Sequence, residues 1–270
     1  MPALREWRGQ SGAPLGLVPT MGYLHAGHRS LLDRARREND RVAASLFVNP
    51  AQFGPQEDLG RYPRDLPRDQ RLLEEAGCDV LFAPSVQEMY PPGFETTVDV
   101  GRIAAPLEGA RRPGHFRAVA TVVLKLFHLF RPDRAYFGEK DAQQLAVIRH
   151  MVRDLDLPVE VCGCPIVREP DGVALSSRNS YLSAEERRAA PVLFRALCAA
   201  RDRWAAGERD AEGLRRAMTD MLAREPLARV DYVSVADPDT LQERDHAHPP
   251  LLISMAVFFG PTRLIDNLRL

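Results

Sequence analysis

The stretch LGLVPTMGYLHAGH, from Leu15 to His28, joins an apolar run to a charged one through a glycine-bearing turn. Residues 15–19 read as a buried strand. Residues 28–39 read as a helix, with Leu31, Leu32 and Ala35 at helical spacing. The same alternation continues along the chain. Strand-like runs fall at 41–48, 78–83, 134–137 and 159–167, and helical ones at 70–76, 116–130 and 142–154. Strand followed by helix, repeated in this way, predicts an α/β fold with a parallel sheet and helices on both faces. The pattern changes at the turn-rich Glu169-Pro170-Asp171-Gly172. Beyond it come helices over 184–206 and 211–224, then strands over 229–236, 251–259 and 263–268, which predicts a smaller α+β domain. The division expected is 1–170 and 171–270.

Composition narrows the class of protein. With 270 residues, 45% of them hydrophobic and 27% charged, the chain has enough core to fold without a disulfide or structural metal. A net charge of −1 with no basic block gives no footprint for nucleic acid or an acidic membrane. No apolar run reaches the roughly 18 residues a bilayer span needs, and the first residues lack a signal-peptide core. The four cysteines, Cys78, Cys162, Cys164 and Cys198, show no zinc-type pairing and read as reduced thiols of a cytoplasmic protein. Among 36 basic residues only Lys125 and Lys140 are lysine.

Chemistry concentrates where strands end. Ligands of open parallel sheets bind outside the carboxyl ends of the strands. A helix start there offers unpaired N–H groups and the positive end of a dipole to phosphate. His25 and His28, three residues apart at such a start, can face one phosphate chain. Gly138-Glu139-Lys140-Asp141 follows another strand on the same edge. Its lysine is a compact ammonium in a chain that uses arginine nearly everywhere else, as suits moving phosphate charge. Leu175-Ser176-Ser177-Arg178-Asn179, past the joint, brings two hydroxyls and a guanidinium on a mobile loop that can hold departing phosphates. Asn49 and Gln52 offer neutral amides beside apolar walls, with Gln144 as a third, suited to a small hydroxy acid. The Pro/Gly-rich stretches 50–67, 84–93 and 106–115 read as loops long enough to wall a site.

The H-x-G-H pattern resembles the signature of the nucleotidylyltransferase and class I aminoacyl-tRNA synthetase superfamily, whose members direct attack at the α-phosphorus of a nucleotide. The ordered set PTMGYLHAGH, FVNPAQF, EDLGRYPR, RPGHF, FGEKDAQQL and LSSRN, with VDYVSVAD and RLIDN further on, resembles the pantoate–β-alanine ligases end to end. The resemblance implies a Rossmann-like first domain, a smaller C-terminal lid, a cytoplasmic homodimer and condensation of pantoate with β-alanine through a pantoyl-adenylate. ATP would lie along Met21, Gly22, Tyr23, Leu24, His25, Ala26, Gly27 and His28, with His28 catalytic. Gly138, Glu139, Lys140, Asp141, Val167, Leu175, Ser176, Ser177 and Arg178 would complete the nucleotide site, with Lys140 and Arg178 also catalytic. Gln52 and Gln144, with Asn49, would hold pantoate, and Gln52 would also lie near β-alanine.

Mg²⁺ would arrive bridged by ATP phosphates. Glu57, Asp58, Glu108 and Asp141 are acidic neighbours, none of them assignable as a metal ligand. The sequence departs from the family twice. Ala142 replaces an aromatic residue, which is expected to loosen packing under the GEKD turn. PALREWR resembles the family's first helix without the strand that usually precedes it, so either the sheet lacks an edge strand or the start codon lies upstream. Three alternatives share part of this pattern. A nucleotidylyltransferase that keeps the nucleotide in its product shares the first motif, a tRNA ligase shares the superfamily, and a non-catalytic nucleotide binder shares the fold.

Overall fold

The computed structural model describes residues 2–9, 12–55 and 57–270. The chain divides into two compact units, Met1–Glu139 with Gln143–Pro165, and Lys140–Ala142 with Ile166–Leu270.

The first unit contains α1 (Pro2–Gly9), β1 (Leu15–Thr20), α2 (Ala26–Glu38), β2 (Arg41–Leu46), α3 (Leu66–Glu75) and β3 (Val80–Phe82). It continues through the short α4 (Val86–Met89) and α5 (Glu108–Arg111), then α6 (His115–Phe130), β4 (Arg134–Gly138), α7 (Ala142–Asp154) and β5 (Glu160–Cys164). The five strands form one sheet in the order β3-β2-β1-β4-β5, and every pairing is parallel. Strand alternation then assigns side chains to two faces. Leu15, Leu17, Ala43, Ala135 and Phe137 pack with Val119, Val123 and Leu126 of α6 and with Leu145, Ile148 and Met151 of α7. Val18, Val42, Ala44, Tyr136 and Cys162 pack with Leu31, Leu32 and Ala35 of α2 and Leu73 of α3. Strands buried on both faces are apolar almost throughout, which is why LGLVP is recognisable in the sequence. Each such Leu or Val contributes about 1.5–3 kcal/mol by leaving water.

The end of α2 is tied to the sheet by polar atoms. Asn39 Nδ2 donates to Tyr136 Oη at 2.7 Å and to the Ala35 carbonyl at 2.8 Å. A Cβ on Gly16 would meet Asn39 Nδ2 at 2.6 Å, so β1 passes under this amide only because it carries glycine there.

The second unit holds α8 (Ala184–Ala189), α9 (Val192–Ala205), α10 (Ala211–Leu222), β6 (Ala228–Ala236), β7 (Leu252–Phe259) and β8 (Thr262–Arg269). Its sheet, in the order β6-β7-β8, is antiparallel. Leu193, Ala196 and Leu197 of α9 and Leu214, Met218 and Leu222 of α10 cover it, against Val235, Ile253, Met255, Val257 and Phe259.

The structure differs from the sequence reading at several points beyond small shifts of element ends. The helix expected over 184–206 is two helices, because Pro191 has no N–H to give the helix ladder and its ring crowds the turn before it. The strand expected over 159–167 stops at Cys164, where Pro165 again removes a ladder donor. The hydroxyl-rich loop after the joint is a one-and-a-half-turn 3-10 helix, Ser177–Tyr181. The four cysteines are free thiols, and burial pushes Cys78 and Cys162 up to about 11, which leaves them protonated and unreactive at neutral pH.

Candidate active site

The turn between β1 and α2 is built around one carboxylate that no motif in the sequence marks. Thr20 Oγ1 donates to the Ser45 carbonyl at 2.9 Å and accepts the N–H of Gly22. The backbone then turns through positive φ at Gly22 (+89°) and at Tyr23 (+52°), the second an uncommon conformation for a residue with a side chain. Asp69 of α3, 2% exposed, holds this turn in place. Its Oδ2 accepts the N–H of Tyr23 and its Oδ1 the N–H of Leu24, both at 2.7 Å. The Arg68 guanidinium lies 4.9 Å from the centre of the Tyr23 ring. Leu24, fully buried, anchors the turn in the core.

The chain then enters α2 with His25 as N-cap, so the helix begins at Ala26, two residues before the start expected at 28. His25 Nδ1 accepts the N–H of Gly27 at 3.1 Å, and His28 Nδ1 accepts the N–H of His25 at 3.3 Å. This is a reciprocal capping box made from two imidazoles in place of Ser and Glu. An Nδ1 that accepts an N–H carries no proton, so each neutral ring bears its proton on Nε2. The ring centres are 4.1 Å apart. A helix N-terminus therefore stands beside two adjacent imidazoles, each with an Nε2–H donor on the side away from the cap.

The predicted amides divide into two roles. Asn49, 1% exposed, caps the 3-10 turn Pro50–Gln52 by accepting from Ala51 N. Its Oδ1 also accepts from Tyr90 Oη at 3.0 Å, and its Nδ2 donates to Gln52 Oε1 at 3.2 Å. Asn49 therefore works as a support for Gln52, with its polar atoms engaged inside the protein. Gln52 Nε2 donates to the Met21 thioether at 2.8 Å, which links the amide loop to the β1–α2 turn. Gln144 is half-buried and its amide makes no hydrogen bond among the described residues. Its neighbour Gln143 holds the 103–108 segment through Glu108 N, Ile103 O and Pro106 O.

The Gln52 carbonyl is fixed from the RPGHF segment. Arg112 has no acceptor, so its Nη1 donates to His115 Nε2 at 3.0 Å, and His115 Nδ1 donates to Gln52 O at 2.9 Å. Burial, with the Arg112 cation beside it, lowers His115 to about 4 and keeps it neutral. Arg112 also makes a two-pronged pair with Glu57 at 2.9 and 2.6 Å. Burial alone would raise Glu57, but the Arg112 hydrogen bonds and charge outweigh it and hold the carboxyl below its ordinary range.

In the second unit, Lys140 and Asp141 form an ammonium–carboxylate contact of 3.5 Å, with the Lys140 side chain 19% exposed. Lys140, Ser176, Asn179 and Asp266 line one small cleft of that unit. Ser176 caps the 3-10 helix by accepting from Arg178 N, and Val167 pairs with Leu175 through the backbone. Ser177 is buried. Gly138 ends β4 with open space where a Cβ would stand, and Ala142 is buried at the start of α7. Among the described residues, no three His, Cys, Asp or Glu side chains gather as a metal site, and no helix is long and apolar enough to cross a membrane.

A parallel sheet that delivers a capped helix N-terminus and two imidazole donors to one strand end is suited to phosphate. It places the protein among the α/β enzymes that work on nucleotides. The sequence profile of the pantoate-beta-alanine ligases matches residues 1–269, and the chain belongs to that family, whose reaction joins pantoate to β-alanine. The pantothenate synthetase of Roseiflexus sp. strain RS-1 is 65% identical over 264 residues, 98% of this chain and 95% of that protein. That of Herpetosiphon aurantiacus is 60% identical over 267 residues, 98% of this chain and 95% of that protein. The crystal structure of the Thermus thermophilus pantothenate synthetase superposes with a TM-score of 0.95 at 55% identity, covering 98% of this chain and 96% of the other. A Francisella tularensis pantoate-beta-alanine ligase, solved with β-γ ATP and β-alanine, gives 0.81 at 33% identity, covering 99% and 95%.

Proposed function

We propose that the ligation runs in two steps on ATP. The pantoate carboxylate attacks the α-phosphorus, giving pantoyl-adenylate and pyrophosphate. The β-alanine amine, having lost its ammonium proton, then attacks the acyl carbon, expels AMP and releases a second proton to solvent as the amide forms. The observation that carries the reading is the pair of reciprocally capped imidazoles at the start of α2. The nucleotide seen in the Francisella relative supports it.

The first step needs no general base, since a carboxylate with a pKa near 4 is already ionised at pH 7. It needs alignment and cancellation of charge between two anions. His28 and Lys140 stabilise the charge on the α-phosphoryl group, and Ser176, Ser177 and Arg178 receive the pyrophosphate. ATP is taken along Met21–His28, Gly138–Asp141, Val167 and Leu175–Arg178. Gln52 and Gln144 hold the pantoate hydroxyls and carboxylate, with Asn49 keeping Gln52 in orientation. The Gln52 amide also lies near β-alanine in this reading.

Mg²⁺ belongs to this reading as part of the nucleotide substrate. A hard cation that keeps its waters and phosphate oxygens needs few protein ligands. Of the acidic neighbours, the structure engages Glu57 with Arg112 and leaves the Asp141 carboxylate half-exposed. We assign nucleotide and pantoate binding to residues 1–170, and the pyrophosphate turn and dimer contacts to residues 171–270 of a cytoplasmic homodimer.

The test is ATP–pyrophosphate exchange with β-alanine withheld. Exchange that requires pantoate is the expected outcome. Exchange with other acids only would keep the adenylate chemistry and overturn the acid assignment. ATP binding without exchange on any acid would overturn the two-step reading itself.

A further inference from the structure

The C-terminal RLIDN segment carries two buried polar side chains that the roles above do not use. Asp266 and Asn267 are 2% and 4% exposed, in a sheet whose buried positions are otherwise largely apolar. Buried polar groups cost stability unless they are fully engaged, and an apolar pair would hold β8 in place at less cost. Their partners indicate what they do. Asn267 Nδ2 donates to the backbone carbonyl of Lys140 at 2.9 Å. The Asn267 N–H donates to Asp266 Oδ1 at 2.8 Å, and its carbonyl accepts from Arg168 Nη2. Asp266 is gripped by Arg168 at 2.6 and 2.9 Å. Arg168 also donates to the Gly172 carbonyl and lies 4.1 Å from the centre of the Phe194 ring. Asn267 is thus immobilised on a planar, two-pronged ion pair, and its amide reaches the Lys140 peptide.

We propose that Asn267 is a positioning residue for Lys140, fixing the peptide from which the lysine side chain departs. The inference rests on the reading that the Lys140 ammonium meets the α-phosphoryl group. A lysine has four rotatable methylenes and a point charge, so its placement depends on where its Cα–Cβ bond is aimed. A hydrogen bond to its own carbonyl sets that aim while leaving the ammonium to follow the phosphate. Misplacing a charge-stabilising group by about 1 Å is enough to lower a rate by up to about 100-fold.

The experiment is a double-mutant cycle on pantoate-dependent ATP–pyrophosphate exchange, using Asn267→Ala, Lys140→Ala and the pair. Asn267→Ala should lower kcat about 10- to 50-fold, with the KM for pantoate within about twofold. In the Lys140→Ala background the same substitution should remove no more than about twofold further. A loss as large in that background as in the wild type would mean a general structural role and overturn the proposal, as would a wild-type kcat for Asn267→Ala. Wild-type exchange by Lys140→Ala alone would instead remove the reading of the lysine on which the inference stands. Asn267→Asp keeps the shape but opposes an oxygen to the Lys140 carbonyl, so it should lose at least as much as alanine, and a wild-type rate would also overturn the proposal. If alanine lowers the unfolding temperature below assay conditions, Asn267→Ser decides, since a hydroxyl that retains a donor should keep more of the rate than Asn267→Asp. Equal rates for the two would count against the hydrogen bond.

Discussion

Asp69 Oδ1 lies 2.7 Å from the backbone nitrogen of Leu24, across 45 residues of sequence, while its Oδ2 takes the neighbouring N–H of Tyr23 at the same distance. One buried carboxylate thereby satisfies two consecutive amides and holds Tyr23 at positive φ. Asp69→Ala leaves both amides without an acceptor, and each orphaned buried donor costs about 1–3 kcal/mol. The variant should unfold at lower denaturant concentration and show a raised KM for ATP. Asp69→Asn keeps one acceptor and should fall between the two. Chemical denaturation and initial rates at varied ATP would check both outcomes, and an unchanged KM with lowered stability would confine Asp69 to folding.

The imidazole box separates capping from chemistry. Glutamine at the third helical position can reach back to an N-cap N–H. His28→Gln should therefore fold within about 0.5 kcal/mol of the wild type while losing about 10²- to 10³-fold in turnover. His28→Ala should lose the same turnover and roughly 1 kcal/mol of stability as well. Near wild-type turnover in His28→Gln would sink the catalytic role.

Arg178 should act on one half-reaction. Arg178→Ala should slow pantoate-dependent pyrophosphate exchange by about 10²-fold or more. Amide formation from supplied pantoyl-adenylate should change far less, because no pyrophosphate leaves in that step. Single-turnover measurement of each half separates them, and equal losses would contradict the assignment.

Acid should loosen the RPGHF anchor. His115 is neutral in the fold, at about 4 against an ordinary value near 6.5. The unfolded chain therefore binds the extra proton first, and the stability His115 contributes is full above about pH 6.5 and falls away toward pH 4. Glu57, held low beside Arg112, loses its share in the same direction on further acidification. Between pH 7 and pH 4.5 the wild type should lose roughly 2 kcal/mol more than His115→Gln. Urea midpoints at the two pH values give the comparison, and parallel losses would mean that His115 is charged in the fold.

The elements legible in the sequence are those whose signal is continuous. β1 and β2 announce themselves because both faces are buried, and α6 because its apolar residues recur at helical spacing. The split between α8 and α9 is equally visible as Pro191, but the Ala/Arg periodicity runs through it and masks the break. In the site, His25, His28 and Lys140 stand out as side chains at strand ends. Asp69 and Asn267 do not, because each acts on main-chain atoms far away in sequence, and a peptide group leaves no mark in the order of residues. Asn49 reads in the sequence as a ligand-facing amide, since an amide engaged internally and one turned toward a ligand are written with the same letter.

Lys140–Ala142 lie in sequence between β4 and the rest of α7, yet by contact they belong with Ile166–Leu270. Recombination between relatives would therefore not respect a single crossover point. A chimaera joined near residue 166 would inherit its GEKD turn from one parent and the strand that anchors it from the other. Exchange of the C-terminal part should succeed only when these three residues travel with it, so the lysine turn and β8 form one heritable module written in two places in the gene.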